Sequence, residues 1–320
     1  MESKIKSKLS LEFQKYDIIK IKSGASKKKF YRLKMNDKSF ILTDFVLDKK
    51  EYDNYFKIYN LLKKINISIP SIIEKNDKNL TIISRDFGNL RFDKIITKDS
   101  AKDLLQYAVD TLVVIKNSIS FDNKVILPKY NFETFKNEIL ELPQYYFPHV
   151  NLNASKNLID EFIFIWSESF KKLNFNFDNF SHKDFNINNL ILIPSQKNHL
   201  KCGVIDFQSS FWGENCWDLF SLLEDSRILF TDEFNEGFID YFYSSTNQKN
   251  SFNDFKIKFH YLNCSRQSRL LGRWVKLSND LNQKWYLNFI SVTQNRLKKS
   301  INNLNNKQLS RFYNKYILYQ

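Results

Sequence analysis

The chain has 320 residues, 42% of them hydrophobic and 26% charged, which allows two lobes with a substantial core and excludes a disordered or fibrous protein. Its net charge of +14 does not by itself point to nucleic acid or an anionic membrane. The lysines are scattered, Lys27-Lys28-Lys29 is their longest run, and no basic stripe is patterned along the chain. An excess of Lys, Asn, Ile, Phe and Tyr over Gly and Pro fits an AT-rich coding sequence. Cys202, Cys216 and Cys264 lack CxxC spacing, which argues against a disulfide framework and a structural zinc site. The N-terminus carries Glu2, Lys4, Lys6, Lys8 and Glu12 where a secretion signal needs an apolar core. No apolar run approaches the roughly 18 residues of a membrane span. A cytoplasmic location is therefore expected, without nucleic acid or membrane as partner.

Ile5, Leu9 and Phe13 recur at helical spacing and predict a short amphipathic helix over 3–14. Three antiparallel strands are expected next, at Ile18–Ile21, Phe30–Leu33 and Phe40–Leu42. Ser23-Gly24-Ala25-Ser26 and Met35-Asn36-Asp37-Lys38 supply their turns. Residues 49–65 read as a helix, and Ile72-Ile73 with Leu80–Ile83 as a hairpin. This βββ-α-ββ block ends near Ser84. From residue 100 the periodicity is mostly helical, near 100–117, 132–142, 154–173, 216–225, 232–244, 254–277, 284–300 and 305–318. Pro128, Pro143 and Pro148 mark expected loops. Between the third and fourth of those helices, Leu190–Ile193 and Cys202–Ile205 flank Pro194-Ser195-Gln196-Lys197-Asn198 as a hairpin with a polar turn.

Two carboxylates frame that hairpin. His182-Lys183-Asp184, followed by Asn189, fits H-x-D-x-x-x-x-N, the catalytic-loop pattern of phosphoryl-transfer enzymes. Val204-Ile205-Asp206-Phe207-Gln208 is a strand that delivers an acid at its end. A hairpin whose ends carry Asn189 and Asp206 brings an amide oxygen and a carboxylate together, a donor set suited to Mg²⁺. Asp184 is the expected base that orients the attacking hydroxyl, and His182 is expected to hold the loop. Ser23, Gly24, Ala25 and Ser26 are expected to cover nucleotide phosphates with backbone N–H groups, although a plain hairpin turn has the same composition. The third strand, Phe40-Ile41-Leu42-Thr43-Asp44, lacks the lysine that such a strand offers to ATP. Lys29 or Arg32 on the preceding strand is expected to replace it, ahead of Lys28, unless all three simply face solvent. Asp86-Phe87-Gly88 spells a metal-binding D-F-G but precedes the catalytic loop, so it reads as a hinge. Gln208 is an acceptor-site candidate, and Asp218 is expected to cap backbone amides or brace the loop. Asp225 and Arg227 are open to either a structural or a binding reading. Arg266 and Arg269 face either an acidic substrate or surface carboxylates.

With these residues in view, the sequence resembles the aminoglycoside phosphotransferase-like family of small-molecule kinases through His182, Asp184, Asn189, Asp206 and Asp218. Within it, the chain is similar to bacterial cell-wall amino-sugar kinases that phosphorylate N-acetylmuramate and N-acetylglucosamine at the anomeric hydroxyl. Ser23–Leu33, Leu127–Tyr130, Ile205–Asp225 and Arg266–Leu277 carry that narrower likeness, and the strand ending in Asp44 fits it. The resemblance implies an α+β, protein-kinase-like bilobal fold, with a nucleotide lobe at 1–85 and a catalytic and substrate lobe at 86–320. It also implies ATP and Mg²⁺ as cofactors, Asp184 as base, Asn189 and Asp206 as metal ligands, and Gln208, Asp225 and Arg266 around the sugar. A monomer is expected. The alternatives are an aminoglycoside or choline-like acceptor, or a pseudokinase that binds nucleotide without turnover, motivated by the missing lysine.

Overall fold

A computed structural model describes residues 5–21, 27–122, 127–228, 232–248 and 250–318. These form two compact units, neither continuous in sequence: 1–118 with 187–210, and 119–186 with 211–320.

Unit 1 is built on a five-stranded antiparallel sheet in the order β1-β2-β3-β5-β4. Its strands are β1 (Asp17–Ile21), β2 (Lys29–Met35), β3 (Lys38–Asp44), β4 (Ile72–Asn76) and β5 (Thr81–Arg85). Alternation of apolar and polar residues turns Tyr31, Leu33, Leu42 and Ile83 to one face, where they form a core with Ile5, Leu9, Phe13 and Tyr16. The helix expected at 3–14 is not continuous. Past Ile5 and Lys6 the backbone runs in turns to a 3₁₀ segment at Phe13–Lys15. Its apolar residues are buried as their spacing requires, but a segment this short does not recover the cost of helix nucleation when burial is available without it. Helix α1 (Lys49–Leu62) starts where Asp48 accepts the Glu51 N–H at 2.9 Å. After α2 (Ala101–Ser118), the chain leaves this unit and returns for the hairpin β7 (Leu190–Leu192) and β8 (Cys202–Val204).

Unit 2 is mostly helical, with α3 (Phe132–Ile139), α4 (Lys156–Lys172), α5 (Trp217–Leu223), α6 (Asp232–Ser245), α7 (Phe252–Asp280), α8 (Ile290–Asn303) and α9 (Lys307–Tyr313). One small antiparallel pair joins β6 (Asn179–Ser181) to β9 (Phe211–Gly213). Buried aromatic rings centre the core, where Tyr261 donates to the Trp166 carbonyl at 2.9 Å and Trp166 Nε1 to Tyr313 at 3.2 Å. Pro143 and Pro148 do not sit in loops; each lies in the first turn of a short helical segment, where a proline's missing N–H has no intrahelical partner to lose. The helix expected at 284–300 is a 3₁₀ turn, Lys284–Phe289, followed by α8. The three cysteines are buried and not joined in disulfides, and no helix among the described residues is long and apolar enough to cross a membrane.

One glycine in unit 2 is set by close approach. A Cβ on Gly272 would lie 2.0 Å from the Glu141 carbonyl oxygen and 2.9 Å from Leu142 N, both backbone atoms that cannot swing aside. Gly272→Ala should therefore destabilise the protein by at least about 2 kcal/mol through overpacking. Urea unfolding checks this, and an unchanged midpoint would contradict the packing described.

Candidate active site

In unit 1 the β7–β8 hairpin pairs Leu190 with Val204, and Asn189 O accepts the Ile205 N–H at 3.1 Å. That register leaves Asn189 and Asp206 at adjoining hairpin ends. Asp206 has left-handed backbone geometry, φ 65°, a conformation that Asp tolerates better than most residues. Its Oδ1 accepts from Lys28 Nζ at 2.7 Å. The same Lys28 Nζ lies 3.1 Å from Glu51 Oε1, in the first turn of α1. Gln208 Nε2 repeats the bridge, donating to Asp206 Oδ1 at 3.0 Å and Glu51 Oε1 at 3.2 Å. Tyr55 of α1 and Phe207 pack ring to ring at 4.8 Å, which fixes the helix against the segment after Asp206.

Lys28 is thus a cation held between Glu51 and Asp206. The register explains how: β2 and β3 run antiparallel with Lys29 opposite Asp44, so the residue just before β2 reaches the region that the end of β3 would serve. The Lys28 side chain is only 3% exposed; a buried ammonium is retained only where carboxylates offset its desolvation. This differs from the expectation that favoured Lys29 or Arg32. Lys29 is exposed. Arg32 is committed to Asp86, with Nε 2.6 Å from Oδ2. Asp86 also accepts from Ser39 and the Gly88 N–H, so it is tied up in these contacts, while Phe87 lies against Gly203 of β8. Gln208, expected at the acceptor, donates its Nε2 to both Asp206 and Glu51, while its Oε1 is buried with no hydrogen-bond partner among the described residues. Glu51 went unnoticed in the sequence, although an acid in the first turn of the helix after three strands was the available signal. Ser23, Gly24, Ala25 and Ser26 lie outside the described residues.

In unit 2, Asp218 is fully buried and accepts two consecutive backbone N–H groups, from His182 at 3.0 Å and Lys183 at 3.2 Å. Lys183 has φ 81°, a strained geometry for a residue with a long side chain, costing about 1–3 kcal/mol. The Asp218 carboxylate and the Trp217 Nε1 bond to the Lys183 carbonyl, 3.3 Å, hold that bend and so fix the direction in which Asp184 leaves the loop. His182 is buried, its ring edge-on to Phe185. Asp225, 1% exposed, has Oδ1 2.7 Å from Arg227 Nε and Oδ2 2.6 Å from Arg227 Nη2. Burial opposes its ionisation, but Arg227 and Arg266 more than offset this and hold the carboxyl below the usual range. Arg266 and Arg269, on α7, both feel the charge of Asp184.

The residues present fit a magnesium ion. Asn189 and Asp206 offer hard oxygen donors, and Mg²⁺ characteristically takes one or two protein ligands and completes its shell with phosphates and water. The Asp206 side chain keeps 36% exposure, so it remains reachable.

Residues 149–248 match the model of the phosphotransferase enzyme family. The N-acetylmuramate/N-acetylglucosamine kinase of Neisseria meningitidis serogroup B is 23% identical over 280 residues, covering 82% of this chain and 79% of that protein. The enzyme of that name from Pseudomonas aeruginosa is 22% identical over 66% of this chain and 61% of its own length. Among solved structures, the choline kinase LicA from Streptococcus pneumoniae is similar in fold, with a TM-score of 0.63 at 17% identity, covering 95% of this chain and 98% of that one. ADP-bound aminoglycoside phosphotransferase APH(2'')-Ib gives 0.60 at 16% identity, over 92% and 99%. The chain is a phosphotransferase with a protein-kinase-like fold, similar over residues 149–248 to the phosphotransferase enzyme family.

Proposed function

We propose that the protein is a cytoplasmic, monomeric, ATP- and Mg²⁺-dependent kinase that phosphorylates an amino sugar, N-acetylmuramate or N-acetylglucosamine, at the anomeric hydroxyl, in recycling of cell-wall sugars. The observation that carries the acceptor is the name borne by relatives matched over as much as 82% of the chain; choline and aminoglycoside kinases are alike in fold alone. Residues 1–85 would serve the nucleotide and 86–320 the catalysis and the sugar. Asp184 orients the anomeric hydroxyl and takes its proton as the sugar oxygen bonds to the γ-phosphorus and the bond to the ADP oxygen breaks. That hydroxyl is more acidic than an ordinary sugar alcohol, so an ordinary carboxylate suffices as base. Asn189 and Asp206 would hold Mg²⁺, which when bound neutralises charge on the phosphates. Lys28, fixed by Glu51, offers a cation to the phosphates, and residues 23–26 cover them. A cation at Lys28, just before β2, favours turnover over a pseudokinase reading, since it would stand in for the lysine absent from β3.

The test is ADP release with ATP and Mg²⁺ across a panel of amino sugars, neutral sugars, choline and aminoglycosides. Turnover is expected with N-acetylmuramate or N-acetylglucosamine. Turnover confined to choline or an aminoglycoside would overturn the acceptor assignment.

A further inference from the structure

Arg266, Arg269 and Arg273 recur along α7 at i, i+3 and i+7, which places them on one helical face. Two of the three are neutralised. Arg269 Nη1 donates to Glu138 Oε1 at 2.9 Å, and Arg273 Nε donates to Glu141 Oε2 at 2.7 Å. Arg266 differs. Its Nη1 is shut off from solvent and meets no hydrogen-bond acceptor among the described residues. The acid that acts on it most strongly, Asp225, has both oxygens engaged by Arg227. Burial lowers the Arg266 pKa to about 10, with Asp225 opposing, so the guanidinium is cationic at neutral pH. A buried charged donor left without an acceptor is unfavourable, and its natural complement is an oxyanion. Arg266 and Asp184 belong to the same unit, so under the reading above such an anion fits the molecule whose hydroxyl Asp184 orients. A flat carboxylate matches the guanidinium fork, and the transferred phosphates already have Lys28 and the metal ligands assigned to them.

We propose that Arg266 recognises a carboxylate on the acceptor sugar and sets a preference for a carboxylate-bearing amino sugar over its neutral counterpart. This rests on the amino-sugar reading above. N-acetylmuramate carries a lactyl carboxylate on the ring that N-acetylglucosamine presents without one, so the pair isolates that group. Loss of a charge-assisted hydrogen bond predicts that Arg266→Gln lowers the ratio of kcat/KM for N-acetylmuramate to that for N-acetylglucosamine by at least about tenfold. A second arm leaves the protein untouched: wild-type enzyme should use the carboxamide of N-acetylmuramate at least about tenfold less well than the acid. The substitution and the amidation should be non-additive, because each removes the same contact. Equal losses for both sugars in the variant, or equal use of acid and amide by the wild type, would overturn the assignment. Turnover of neither sugar by the wild type would instead remove the reading on which it rests. If Arg266→Gln fails to fold, the amide arm decides.

Discussion

Replacing Lys28 by methionine is expected to lower kcat/KM for ATP by at least about 100-fold, with much of the loss in the nucleotide KM. Lys28 is the buried cation between Asp206 at 2.7 Å and Glu51 at 3.1 Å. Methionine keeps the bulk and deletes the charge, so two carboxylates face each other with Gln208 as the remaining cross-link. Glu51 and Asp206 stay partly exposed, so the stability cost should fall below that of breaking a fully buried pair. Saturating nucleotide separates the two, because binding lost at the phosphates is recovered at high ATP and unfolding is read independently by circular dichroism. Lys29→Met, at the exposed neighbour, is expected to change the nucleotide KM by less than about threefold. The reverse pattern, with Lys29 sensitive and Lys28 tolerant, would show that the cation comes from β2 itself.

Asp184→Asn should lower kcat by at least about 100-fold while nucleotide affinity stays near that of the wild type. The amide is nearly isosteric but cannot take the proton of the attacking hydroxyl. The loop geometry should survive, because the bend at Lys183 is held by Asp218 and Trp217 and not by Asp184. Asp206→Asn should cost a comparable factor by a different route, and added Mg²⁺ should recover part of it. Near-normal turnover by Asp184→Asn would defeat its assignment as base.

Much of the fold is legible in the sequence. The β7–β8 hairpin followed from two apolar runs around a polar turn, and its register sets Asn189 opposite Ile205, one residue before Asp206. The antiparallel sheet of unit 1 followed from alternation in the same way. Lys28 was not legible. It sits in Lys27-Lys28-Lys29, three identical side chains, of which burial selects one, and burial depends on Glu51, Asp206 and the strand register together. The contact of Gln208 with Glu51 was not legible for a related reason: the sequence places Gln208 two residues past Asp206 but does not say that α1 lies within reach of its amide. Arg32 looked free until Asp86, 54 residues on, was found beside it. The break in the predicted 3–14 helix reflects a limit of periodicity, which reports which residues are buried more faithfully than the backbone that buries them.

The most direct test of the proposed reaction is ³¹P NMR of the product formed from ATP, Mg²⁺ and N-acetylmuramate or N-acetylglucosamine. A phosphorus resonance coupled to the anomeric proton is predicted, from a sugar 1-phosphate made in step with ADP. A phosphate coupled to a proton at another ring position, or inorganic phosphate alone, would contradict the assignment.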